Sequence, residues 1–336
     1  MPPAGWYYRL SAYFKEKIGE RVYKIPLNAS FTCPNRDGTI SDEGCIFCYN
    51  PGFSPPAAAD ERDGHRREIK EQILDYQLRM EKRNLYRSPG RLNRAAETAS
   101  KKGTAVPRYK YMAYFQSYSN TYAPVSRLRH VYDQALSMPG VIGLSIATRP
   151  DCLRTEVLDL LEEYARKYHF WLEVGLQSAH DRTLELINRG HTFARFQESV
   201  SEAARRGITV CVHIINGLPG ESEDEMLETI ERLNDLPVKG IKFHQLQIIK
   251  HTPLEKQFRA GKIKVLTRQE YLQIICNQLE ILRRDIVVHR LLSEVFRKEL
   301  LIAPHWEVFR GTFSQEVERE LRLRRSYQGI GTTGGG

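Results

Sequence analysis

Long apolar runs are missing from this chain, and none approaches the roughly 18 residues a membrane-spanning helix needs. The opening residues, Met-Pro-Pro-Ala-Gly-Trp-Tyr-Tyr-Arg, contain no apolar stretch of the kind a secretory signal carries. The expectation is therefore a cytoplasmic protein with reduced thiols and no membrane partner. Internal repeats beyond a strand–helix rhythm are missing as well. Hydrophobic residues nevertheless fill 41% of the 336 positions and aromatics 10%, which is enough for a real core and excludes a wholly disordered or fibrous chain. This length suits one large α/β barrel or two ordinary domains. Acidic residues are in deficit: 41 Asp and Glu face 50 Lys and Arg, a net charge of +9. Residues 61–110 concentrate the excess, with 14 basic against 7 acidic, and residues 283–325 add 10 against 7. Such stretches are either solvated faces or surfaces that meet a polyanion such as RNA.

Cysteine is scarce. Three of the six, Cys152, Cys211 and Cys276, stand alone and read as small buried hydrophobes. The other three, Cys33, Cys45 and Cys48, crowd into Cys-Pro-Asn-Arg-Asp-Gly-Thr-Ile-Ser-Asp-Glu-Gly-Cys-Ile-Phe-Cys, a C-x11-C-x2-C spacing. A fourth ligand is absent nearby, because the next histidine is His65, 17 residues past Cys48. Structural zinc generally takes four protein ligands. Four thiolates are the norm for electron-transfer iron–sulfur clusters, so three leave one iron open to a small molecule. The loop thus reads either as zinc with a distant fourth ligand or as a cluster that does chemistry at its free iron.

Strands and helices alternate along the chain. Val22–Phe31, Tyr109–Gln116, Val141–Ala147, Phe170–Leu176, Ile208–Ile215 and Ile241–Ile249 read as six strands. Helical spacing falls between them, at His65–Asn84, Pro124–Met138, Thr155–Tyr168, Asp181–Arg206 and, after the Ser222/Glu225 capping box, from Met226 to Leu233. This order predicts a parallel sheet, either doubly wound or a partial barrel, with ligands at the carboxyl ends of the strands. The cysteine loop follows the first strand and lies at such an end. Strand parity puts Glu173, Gly175 and Gln177 on one face, and likewise His213 with Ile215 and Lys242 with His244. Polar groups on otherwise apolar parallel strands require internal partners or a ligand. Arg149, at the end of the third strand, suits either a salt bridge or an anionic ligand.

Several stretches together resemble the radical S-adenosylmethionine (SAM) enzymes, in particular a bacterial branch related to the catalytic subunit of the Elongator complex. They are Tyr23-Lys-Ile-Pro-Leu-Asn-Ala, Phe31-Thr-Cys-Pro-Asn-Arg-Asp-Gly, Cys45-Ile-Phe-Cys48, Phe115-Gln-Ser-Tyr-Ser-Asn-Thr-Tyr-Ala, Thr148-Arg-Pro-Asp-Cys, Glu173-Val-Gly-Leu-Gln-Ser, Asn188-Arg-Gly-His-Thr and Gly217-Leu-Pro-Gly-Glu. The resemblance implies a partial (β/α)6 TIM-type barrel with an α-rich C-terminal extension. Its organisation would be an N-terminal extension at 1–20, a core at 21–255 with a basic insertion at about 84–108, a helical extension at 256–329 and a flexible tail at 330–336.

It also implies a [4Fe–4S] cluster on Cys33, Cys45 and Cys48, with SAM on the open iron. Reductive cleavage of SAM would then yield a 5′-deoxyadenosyl radical that abstracts a substrate hydrogen. The cofactor carries that chemistry, so no catalytic residue beyond the cluster ligands is expected. The family's common spacing is C-x3-C-x2-C, so Pro34–Gly44 reads as an insertion. Its usual Gly-Gly-Glu is replaced here by Gln116-Ser-Tyr-Ser-Asn. Gln116, Ser117, Glu173, Gln177, Gly217 and Pro219 are the candidate cofactor contacts. The implied partners are tRNA, at the carboxymethylaminomethyl substituent of a wobble uridine, and an electron donor such as flavodoxin or ferredoxin. Two rivals stand beside this reading: a radical SAM enzyme on a small molecule or protein, and a zinc-stabilised RNA-binding module.

Overall fold

The structure, a computed structural model, describes residues 5–54, 67–87 and 109–332. Most of the basic insertion, with Arg91 and Arg94, lies outside these residues, as do the side chains of Arg83 and Arg87 and the last four residues of the tail.

The apolar runs become strands because they are short and rich in β-branched and aromatic residues, and once buried on both faces they find their backbone partners in neighbouring strands. They are β1 (Val22–Leu27), β2 (Lys110–Phe115), β3 (Val141–Thr148), β4 (His169–Gln177), β5 (Val210–Asn216) and β6 (Gly240–Gln245). The last expected run breaks after Gln245, and β7 (Ile248–Ile249) pairs antiparallel with β9 (Leu301–Ala303). A seventh parallel strand, β8 (Val287–Arg290), joins the sheet beside β6. This strand adds to the expected α-rich C-terminal extension: Ile286-Val-Val is too short to show a period, and only its pairing with β6 makes it a strand.

The sheet order is β1-β2-β3-β4-β5-β6-β8, parallel throughout. Strictly sequential order is the barrel pattern, not the doubly wound one, which reverses direction at a switch point. The crossover helices are α2 (Ile69–Arg87), α3 (Val125–Leu136), α4 (Thr155–Lys167), α5 (Phe193–Arg205) and α6 (Glu223–Asn234). They follow α1 (Leu10–Ile18), and α7 (Arg268–Ile281) and α8 (Arg310–Leu323) complete the outer layer. The capping box expected at Ser222 and Glu225 starts α6, and Thr267 with Glu270 repeats the device at α7.

Side chains alternate across the curled sheet. Ile25, Leu27, Leu144, Ile146, Leu172, Val174, Val212 and Ile241 face the helices and form the main core. Lys24, Tyr114, Ser145, Glu173, His213 and Lys242 meet one another inside the barrel. The curl carries through most of a circle, for Lys24 Nζ on the first strand lies 3.3 Å from His289 Nδ1 on the last. Beneath this polar layer α1 plugs the amino end: Phe14 clusters with Met112, Trp171, Cys211 and Val287, and the Tyr13 ring stands 5.3 Å from Trp171. Among the described residues no helix is long and apolar enough to cross a membrane.

Candidate active site at the carboxyl end of the barrel

The loop after β1 carries Cys33, Cys45 and Cys48. Its first turn closes on the Cys33 carbonyl, which accepts from the amides of Arg36 and Asp37 at 2.9 and 3.1 Å. The chain returns through Gly38 and Gly44, both left-handed, with φ of 87° and 76°. A Cβ at Gly44 would come within 2.8 Å of the Arg36 side chain, so glycine is required there for close approach as well as for conformation. The inserted residues dock on the segment after β4. Buried Asn35 donates to the Asn188 carbonyl at 2.7 Å, Asn188 donates to the Gly44 carbonyl at 2.8 Å, and the Ile46 amide reaches the Ile187 carbonyl at 3.1 Å. This explains the motif Asn188-Arg-Gly-His: Asn188 takes a positive φ of 50°, and a Cβ at Gly190 would strike Asn35 Oδ1 at 2.9 Å.

All three thiols are free and line one cavity of about 250 Å³. The Cys45 sulfur accepts from Asn35 Nδ2 at 3.5 Å and from Arg189 Nη1 at 3.6 Å, and Arg36 donates to the Cys48 carbonyl. Burial, aided by the neighbouring Cys45, pushes the Cys48 thiol up to about 11. Around the loop three buried polar atoms lack hydrogen-bond partners among the described residues: Asn35 Oδ1, Arg149 Nη1 and Arg189 Nε. Three thiols with N–H donors aimed at sulfur and cations behind them fit an anionic iron–sulfur cluster. No three His, Cys, Asp or Glu side chains among the described residues converge as a single ion would require, whereas cluster thiolates bind separate irons and stand further apart.

The other expected contacts divide. Gln116, Glu173 and Gln177 line the cavity. Gln116 Nε2 donates to the Phe53 carbonyl at 3.1 Å, and Gln177 takes a left-handed φ of 83° where the β4–β5 register slips. Ser117, Gly217 and Pro219 do not line it. Ser117 is buried and accepts from Ser54 at 3.2 Å, Gly217 packs on Leu266, and Pro219 is buried in the turn before α6. Arg149 forms the salt bridge, to Asp151 at 2.9 Å, with one nitrogen left over. Cys152, Cys211 and Cys276 are buried, as expected of isolated cysteines.

The faces that strand parity assigns to Glu173, His213, Lys242 and His244 all turn to the inside, and their joint role appears only once the sheet curls. Glu173 is fully buried and accepts from Lys24 Nζ at 2.7 Å and from His213 Nε2 at 2.8 Å, with Lys242 and Ser145 against the same carboxylate. Burial opposes its charge, yet Lys24, Lys242 and His213 together hold the carboxyl well below its ordinary range. Burial also draws Lys242 down to about 7 and His213 down to about 4, so the histidine is neutral at physiological pH. The result is a charged floor under the cavity. Lys24 had a sequence signal in its position on a strand of otherwise apolar residues. Arg290, Glu294 and Arg310, which line the cavity from the C-terminal region, carried no such signal.

The family model described as the Radical SAM superfamily matches residues 33–233, and the Radical_SAM C-terminal domain matches residues 238–322. The uncharacterized protein YtqA of Bacillus subtilis is 40% identical over 323 residues, covering 96% of this chain and 92% of its own length. A tRNA uridine(34) acetyltransferase of Methanocaldococcus jannaschii is 25% identical over 158 residues, covering 46% of this chain and 28% of its own. In fold, the solved Elp3 of Methanocaldococcus infernus with an N-terminal deletion superposes with a TM-score of 0.62 at 14% identity, over 91% of this chain and 64% of that one. With the superfamily match running from the first clustered cysteine through α6, this chain belongs to the radical SAM superfamily, whose members use a [4Fe–4S] cluster and S-adenosylmethionine.

Proposed function

We propose that this radical SAM enzyme acts on a tRNA wobble uridine, at a carboxymethylaminomethyl side chain on the base. The observation that carries the reading is the likeness of nearly half the chain to a protein named for its action on uridine 34 of tRNA. The net charge of +9 supports it, because RNA binding is driven by phosphate neutralisation. So does the placement of the cavity at the strand carboxyl ends, where a base splayed out of an RNA loop can present its edge.

When bound, the cluster and SAM supply a carbon radical that takes a hydrogen atom from the substrate. The chain's residues hold and shield. Cys33, Cys45 and Cys48 are the ligands, and Asn35 and Arg189 spread charge from the Cys45 sulfur through their N–H groups. Gln116 and Gln177 offer amides for the amino-acid end of SAM, Glu173 fixes the floor beneath it, and Ser117, Gly217 and Pro219 back the lining. Phe47, Phe53, Ile215, Leu246 and Phe296 form apolar parts of the wall and exclude water.

Mass spectrometry of nucleosides from tRNA of a deletion strain tests the substrate. The expected profile accumulates the carboxymethylaminomethyl form and loses the species made from it. An unchanged profile would turn the assignment toward a small-molecule or protein substrate. The purified protein is expected to bind tRNA with an affinity that falls steeply as salt rises.

A further inference from the structure

The cations of the cavity form two sets. Arg149 pairs with Asp151 and lies against Gly190 beside Asn35, and Arg189 donates to the Cys45 sulfur, so these two belong to the cysteine loop. Arg290 acts instead on Tyr114, Lys242 and His244, at the inner wall. It reaches that wall through a register slip: β8 pairs Val288 with Ile241 and then Arg290 with Lys242, skipping His289. Consecutive residues therefore both serve the barrel interior, His289 against Lys24 and Arg290 along the cavity.

Around Arg290 the charges do not balance. Arg310 lines the same wall, and its Nε pairs with Glu294 at 2.7 Å. Burial and the repulsion of Arg290 both weaken the Arg310 cation. Glu173, the other carboxylate on this wall, is committed to Lys24, Lys242 and His213. His213 and His244 are neutral and supply no negative charge, and His244 Nε2 has no hydrogen-bond partner among the described residues. Two guanidiniums thus face a single carboxylate that pairs with Arg310, and the Arg290 side chain has no ion pair or hydrogen bond among the described residues. A half-buried cation in this state gains strongly from an anion, and the guanidinium fork suits a planar two-oxygen group.

We propose that Arg290, supported by Arg310, is an anion subsite that takes the carboxylate of the substrate. The assignment rests on the proposed function for its ligand, a uridine with a carboxymethylaminomethyl arm, and adds the group that recognises the arm. The subsite holds the carboxylate by charge-assisted hydrogen bonds and orients the methylene groups beside it toward the centre of the cavity.

The test is calorimetric titration of the reconstituted, SAM-loaded protein with 5-carboxymethylaminomethyluridine and with the corresponding amide. The wild type is expected to prefer the carboxylate by about tenfold or more. Arg290→Gln is expected to abolish the preference and Arg290→Lys to keep part of it. Iron content checks that each variant folds and loads. Should Arg290→Gln fail that check, Arg310→Gln carries the test, with a smaller loss of preference expected. Equal binding of both nucleosides by the wild type would overturn the subsite. If Arg290→Gln weakens an unmodified tRNA transcript as much as tRNA bearing the carboxylate, the anion is a backbone phosphate and the carboxylate assignment is wrong. Preferential carboxylate binding without any turnover of tRNA would sustain the subsite and remove the tRNA substrate.

Discussion

Glutamine at position 173 keeps the shape of the buried glutamate and removes its charge. Two ammonium groups would then lose their common partner: Lys242, with 2% of its side chain exposed, and Lys24, with 16%. The new amide would also turn an N–H toward donors. Removing one member of a buried ion pair costs about 3–5 kcal/mol. Lys24 keeps some water, and Lys242 already releases its proton near a pH of about 7, so the lower end, about 3 kcal/mol, is expected. The assay is urea unfolding of the reduced apoprotein followed by circular dichroism, read as a lower midpoint at unchanged slope. Adding Lys242→Met removes the stranded charge and is expected to restore at least about 1 kcal/mol, a coupling that independent sites do not show. A single-variant loss below about 1 kcal/mol, or strict additivity in the pair, would refute the charged-floor argument. The pH dependence has a definite sign. The native carboxyl titrates well below its value of 4.5 in the unfolded chain, so its stabilisation is complete at neutral pH and is lost as pH falls through the native value. The gap between wild type and Glu173→Gln therefore narrows only in acid.

Replacing Cys33, Cys45 or Cys48 by alanine is expected to abolish both iron loading and formation of 5′-deoxyadenosine from SAM, whereas Cys276→Ala, on the buried face of α7, retains both; full cleavage by any of the first three contradicts the ligand assignment. Arg189→Lys removes the N–H from the Cys45 sulfur and is expected to lower the midpoint potential of the cluster, since hydrogen bonds to sulfur favour the reduced state; potentiometric titration with an electron paramagnetic resonance readout decides it. Trp171→Ala empties the layer between α1 and the charged floor and is expected to destabilise the fold by about 3–5 kcal/mol, with the urea midpoint as the measure.

How much of this was legible beforehand follows from which features are local. The six expected strands declared themselves because strands covered on both faces need apolar runs, and all six lie in the sheet. β8 did not, since four residues ending in His289 and Arg290 carry no pattern and become a strand only by pairing with β6. The cysteine trio was visible as spacing, but its holding device was not. Nothing in Asn35 or Asn188 alone says that two segments 153 positions apart exchange hydrogen bonds. Period-2 parity correctly turned Glu173, His213 and Lys242 inward. It could not say that they face one another across three strands, because that depends on the curl. Arg290 was hidden for a sharper reason: a register slip puts it and His289 toward the same interior, which parity forbids.

The two end strands of the sheet, β1 and β8, share no backbone ladder among the described residues. The ring is closed by side chains, chiefly Lys24 reaching toward His289 and Glu173. Elsewhere around the circumference backbone hydrogen bonds hold the strands, and those part only with broad unfolding. A split ring of this kind breathes at its clasp, so amide protons along β1 are expected to exchange with solvent sooner than those of β3 and β4. The widening and narrowing of the chamber would be governed at that join, by the same lysine and glutamate that form its base.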